Sequence, residues 1–171
     1  MKVKASHPEI KLLLEIVDQA YVKKAWHGPN LKGSIRGLTA KDAAWRPAPG
    51  RHSIWEVVVH AAYWKYAVRR RIRGDKRGSF ALKGSNWFRR PDLQTEEAWK
   101  RDIELLEREH AIMLDAISEL SPSQLYESAR GSKTSNAVLI YGIACHDVYH
   151  AGQVQLLKRL QRTGKRGRKS Q

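Results

Sequence analysis

His146-Asp147-Val148-Tyr149-His150-Ala151-Gly152-Gln153 places two histidines four residues apart inside a long run that reads as helix. Residues four apart in a helix stand one turn above the other on the same face. The imidazoles of His146 and His150 can therefore chelate one divalent ion, with a third ligand supplied from elsewhere in the fold. Working outward, Thr134 or Ser135 caps this helix, which runs to about Arg162, and Gly164 fits a C-cap. Its inward stripe reads Leu139, Gly142 or Ile143, His146, His150, Gln153, Leu157 and Leu160. The remainder, residues 165–171, carries no apolar side chain and reads as a basic disordered tail.

Three further helices precede it. Ser6-His7-Pro8-Glu9 opens the first, with Ile10, Leu13, Leu14, Val17, Ala20 and Tyr21 at helical spacing and Gly28-Pro29-Asn30 as its end. A polar loop continues through Gly33 and Gly37, and Thr39 to Trp45 reads as a short helical turn. Ser53-Ile54-Trp55-Glu56 is a capping box and starts the second long helix. Its stripe is Ile54, Val57, Val58, Ala61, Trp64 or Tyr63, Val68 and Ile72, with His60 on the edge between Val57 and Trp64. It ends in Arg69-Arg70-Arg71-Ile72-Arg73 before Gly74. Residues 74–94 read as a long loop partly ordered by Trp87 and Phe88. Thr95-Glu96-Glu97 opens the third long helix, whose inner face carries Trp99, Ile103, Leu106, His110, Met113 or Leu114, and Ile117, and which stops at Ser121-Pro122. No alternating stretch is long enough for a sheet. The reading is an all-α four-helix bundle over residues 1–164 with long connections between its helices.

The bulk numbers agree with one domain. The chain has 171 residues, 42% of them hydrophobic, enough for one sizeable core. Its 32 Lys+Arg against 17 Asp+Glu leave a net charge of +15, which favours an anionic partner: a small anion, nucleic acid or an acidic surface. The single cysteine, Cys145, excludes an intrachain disulfide. No leader is legible at the start, and no apolar run approaches the roughly 20 residues a membrane span requires. A cytoplasmic protein without a membrane partner is expected.

His60, on an apolar helix face, is the third ligand to set beside His146 and His150, because bundles build metal sites from facing helices. The alternative is a set of core histidines bonded to backbone, Tyr or Gln. Three neutral imidazoles would leave a metal its full charge and an open position, the catalytic rather than the closed structural pattern. His7, His27 and His52 read as solvated, and His110 as a core or boundary residue with a pocket role as its alternative. Glu56 is assigned to the capping box rather than to His60. Asp147 points about 100° away from His146, so it is not expected to join the same ion. Cys145 reads as a small buried residue. Trp64, Tyr149 and Gln153 are candidate pocket walls.

Two motifs carry a resemblance: Arg46-Pro47-Ala48-Pro49-Gly50 followed by Ser53-Ile54-Trp55-Glu56 and His60, and His146 to Gln153 followed by Leu156-Leu157-Lys158-Arg159. With the order and length of the four helices, they make residues 6 to 164 resemble the DinB-like (YfiT-like) metalloprotein family. The resemblance implies an up-up-down-down-type bundle, a homodimer, and a divalent ion, commonly zinc or nickel, on His60, His146 and His150. It further implies an enzyme, with thiol-dependent S-transfer as one activity and a low-molecular-weight thiol as cosubstrate. A small anionic or thiol substrate is expected. Apart from the resemblance, Arg69, Arg70, Arg71 and Arg73 are placed to attract an anionic thiol cofactor near the bundle mouth, with a solvated helix end as the equal alternative. The alternatives are a module binding nucleic acid non-specifically through the basic tail, and a metal-stabilised dimer without catalysis.

Overall fold

The computed structural model describes residues 7–90, 94–128 and 133–167. It is all-helical, and no strand occurs among the described residues; a lone bridge joins Ser128 and Ser135. The helices are α1 (Pro8–Tyr21), α2 (Leu31–Ile35), α3 (Ala40–Ala44), α4 (Ile54–Arg73), α5 (Glu96–Ser118) and α6 (Asn136–Gly167), with a short 3-10 turn at Ser123–Leu125. The four long ones form the bundle: α4 lies along α5, α1 along α6, and α6 also packs on α4.

The boundaries follow local chemistry. Ser53 Oγ accepts from the Glu56 amide while the Glu56 carboxylate accepts from the Ser53 amide, so the capping box is complete. Gly74 ends α4 at φ 72°, a left-handed turn that suits glycine. Thr95 caps α5, and Ser135 Oγ accepts from the Val138 amide at 3.4 Å at the head of α6.

Three boundaries differ from expectation. α1 stops at Tyr21, because the Val22 and Lys23 amides both turn back onto Asp18 O and Asn30 Nδ2 then ties the Lys23 carbonyl. The segment expected as polar loop holds α2, capped by Asn30 Oδ1 on the Gly33 amide, with Leu31 and Ile35 buried. A single apolar pair four apart is enough to seat one helical turn on the core. Gly164 does not end α6, which continues to Gly167; a glycine inside a helix costs only about 1 kcal/mol. The tail expected over 165–171 is thus helical backbone for its first three residues, and 168–171 lie outside the described residues. No helix is long and apolar enough to cross a membrane.

The inward face of α6 is also rotated from the expected stripe. Its most buried positions are Ile140, Ile143, Ala144, Asp147, His150, Ala151 and Val154, while Leu160 is exposed. Cys145, expected to be buried, is exposed. His146 therefore stands half-buried at the margin of this face, with His150 buried one turn further along.

Candidate metal centre

α4 presents His60 and α6 presents His146 and His150 to one point. The Nε2 atoms of His60 and His146 are 3.1 Å apart, as are those of His146 and His150. One donor atom from each residue lies within 4.8 Å of the other two, the arrangement of a group that could hold a metal ion. His60 and His150 are buried and His146 is half-buried.

The other ring nitrogens decide what the cluster offers. His60 Nδ1 lies 2.9 Å from the Asn86 carbonyl, an acceptor only, so this nitrogen carries the proton and donates. His150 Nδ1 donates to Gln153 Oε1 at 2.7 Å, and Gln153 Nε2 donates to the Tyr149 hydroxyl at 2.9 Å. Both rings then present bare Nε2 lone pairs toward His146. A single N–H on His146 Nε2 cannot serve two acceptors well, whereas a cation among the three would be attracted to all of them. Protonating the rings is not an alternative. Burial lowers the pKa of His60 to about 4 and of His146 to about 3, and it lowers that of His150 as well. The donor set is neutral at physiological pH, as a metal requires.

The loop between α4 and α5 completes the surroundings. Asn86 has φ 63°, a left-handed conformation that asparagine tolerates better than most residues. It turns its carbonyl onto His60, while its Oδ1 accepts from Trp64 Nε1 at 3.0 Å. Trp87 then lies flat on His60, ring centroids 3.9 Å apart, and His52 stacks on its other face at 3.6 Å. His52 is exposed, as expected, and in addition stacks on Trp87 and contacts Glu56 at 3.3 Å. Glu56 itself serves the capping box, Arg46 and His52. Phe88 and Phe80 pack against Tyr63 and fix the loop to α4.

The remaining histidines stand apart from the cluster. His110 is buried in α5, donates to Asp18 at 3.1 Å and lies against the Tyr21 ring, so it has the core role. His7 pairs with Glu9 and His27 is exposed. Asp147 does not turn toward the ion position. It points into the bundle and meets Lys65 of α4, and both side chains are fully buried. Burial pushes the Lys65 amine down and the Asp147 carboxyl up, and their mutual attraction opposes both shifts. The sequence reading missed this pair. The available signal was a lysine within the apolar run of α4 and an aspartate at the same face of α6 as Ile140, Ile143 and Ala151.

Residues 25–154 match the family model described as the DinB superfamily, a stretch that spans most of the chain and contains all three clustered histidines. No curated protein and no solved structure matches the chain.

Proposed function

We propose that this chain, which belongs to the DinB superfamily, is a metal-dependent enzyme that binds one divalent ion, zinc or nickel, through His60, His146 and His150. The observation that carries this reading is the convergence of three Nε2 atoms whose partner nitrogens on His60 and His150 are already committed as donors. When bound, the ion supplies a Lewis-acid centre that holds and acidifies a thiol or a water molecule. The protein's own residues do the positioning. Asn86 orients His60, the Gln153–Tyr149 pair orients His150, and Trp87 covers the His60 face against solvent.

The reaction we favour is transfer of a low-molecular-weight thiol to an electrophile. An apolar cleft of about 430 Å³ supports it; Val57, Trp87, Leu156 and Leu160 line it beside Gln153, and it would seat a hydrophobic acceptor next to the ion. A second copy of the chain is the proposed partner in the assembly. Exposed apolar side chains on α1 (Leu12, Ile16) and α6 (Tyr141, Val148) are suited to such pairing.

The test is elemental analysis of the purified protein beside His60→Ala, with circular dichroism on both. About one divalent ion per chain is expected in the wild type and none in the variant, with helicity retained. A wild type that takes up neither zinc nor nickel on reconstitution would return the histidines to a purely structural role.

A further inference from the structure

The loop after α4 encloses a second cavity, of about 550 Å³, which the metal centre does not use. Its floor is aromatic. Tyr63, Trp64 and Tyr66 come from α4, and Phe80 comes from the loop, its ring centroid 5.4 Å from Tyr63 and 5.3 Å from Tyr66. Its rim is cationic: Arg70, Arg71, Arg77 and Lys83 line it, and no Asp or Glu does.

The neighbouring arginines are neutralised within the protein. Arg69 contacts Asp75 and Glu109, and Arg73 contacts Glu119; Arg70, on the rim, keeps its charge and donates from Nη1 to the backbone carbonyl of Asp75 at 3.3 Å. Arg71, Arg77 and Lys83 are different, for none has an ion pair among the described residues. The helix dipole accounts for cations in the last turn of α4. It does not account for Arg77 and Lys83, which stand in the loop and face the same cavity. Like charges gathered around one concave surface repel one another, and a bound anion relieves that repulsion.

We propose that this cavity binds a small organic dianion that carries a flat ring, as a phosphate monoester or a dicarboxylate does. The ring would lie on the aromatic floor, and the doubly charged group would take the guanidinium forks of Arg71 and Arg77 with Lys83 beside them. The cavity volume suits a small ligand rather than a macromolecule. Trp64 connects it to the histidines: the indole lines the cavity and its ring centroid stands 6.3 Å from His60 and 6.2 Å from His146. The anion's role as part of the substrate rests on the metal reading; its binding does not.

The experiment is isothermal titration of the full chain with phenyl phosphate at fixed ionic strength. R71Q/R77Q should weaken binding by about tenfold or more, the loss expected for two charge-assisted contacts. Arg36→Gln, an exposed cation outside the cavity, should bind as the wild type does. His60→Ala should lose its metal and keep phenyl phosphate, which separates failure here from failure of the metal centre. Absence of binding by the wild type, or equal binding by R71Q/R77Q, overturns the proposal. So does displacement of the probe by a single-stranded oligonucleotide together with equal weakening in Arg36→Gln, which would mark a diffuse polyanion surface.

Discussion

Two polar clusters lie between the same two helices, and they are adjacent in sequence. His60 and Lys65 are both on α4; His146 and Asp147 are neighbours on α6. Lys65 and Asp147 close on each other, cation against carboxylate, with the Lys65 ammonium also 4.7 Å from the centre of the Tyr21 ring. The histidines do not close on each other. The outer nitrogens of His60 and His150 are bonded to Asn86 and Gln153, that of His146 has no hydrogen-bond partner among the described residues, and the inner ones are three like donors facing one point. A buried polar group that finds its complement within the fold is structural. A set of buried groups of one kind, oriented by their surroundings and left facing each other, is complementary to something the chain does not contain. The difference lies in the chemistry as well as in burial, which is complete for Lys65 and Asp147 and partial for His146.

The largest effect is expected on the closed side. Lys65→Met should leave a buried unpaired carboxylate and cost about 3–5 kcal/mol. In a chain of this size that is roughly a 10 °C fall in melting temperature. The double variant K65M/D147L should recover most of it, because an apolar pair of similar volume replaces an ion pair at little cost. Chemical denaturation of the wild type, the single and the double variant checks this. A Lys65→Met chain as stable as the wild type would show that the pair does not hold the bundle together.

Acid should act next. Burial lowers His110 to about 4, against the ordinary 6.5 of an unfolded chain. Between those values the unfolded state binds a proton that the folded state refuses, so stability falls as the pH drops from 6.5 to 4. Below 4 both states are protonated and the contribution has been lost. The shift is worth on the order of 3 kcal/mol over that window. His60 and His146 act in the same direction in the metal-free chain. Urea unfolding of metal-free protein at pH 7 and pH 4.5 should show the loss, and His110→Gln should flatten the profile. An unchanged slope in that variant would assign the acid sensitivity to the cluster alone.

The smallest effect separates orientation from ligation. Gln153→Ala removes the acceptor that fixes the His150 ring. It should weaken metal binding by about 10- to 100-fold while changing the metal-free stability little. Competition against a chelator measures the first, thermal unfolding the second. Equal metal affinity in the variant would mean that packing alone orients His150.

The long helices were legible because amphipathic periodicity, the Ser53–Glu56 capping box and the break at Gly74 are local signals. The His146–His150 pair was legible for the same reason: a four-residue spacing fixes a shared face whatever surrounds it. α2 was missed because its turn, Leu31 to Ile35, contains Gly33 and is too short to show a period. The partners were out of reach for a different reason. Asn86 and Trp87 meet His60 from a loop with no repeat, and Lys65 meets Asp147 across 82 positions of sequence.

Each residue added to a helix turns it by about 100°, so an inward stripe read one position off keeps its period and changes its members. On α6 that small rotation put Asp147 into the core, sent Leu160 to the surface and left His146 half-buried at the margin. The sequence by itself therefore determined the four long helices, the capped starts of α4 and α5, the end of α4 at Gly74 and the shared face of two histidines, because those depend on backbone geometry within a few residues. Only the tertiary structure decided which groups meet across the bundle, because that depends on the rotation of each helix about its own axis and on the path of the loop between α4 and α5.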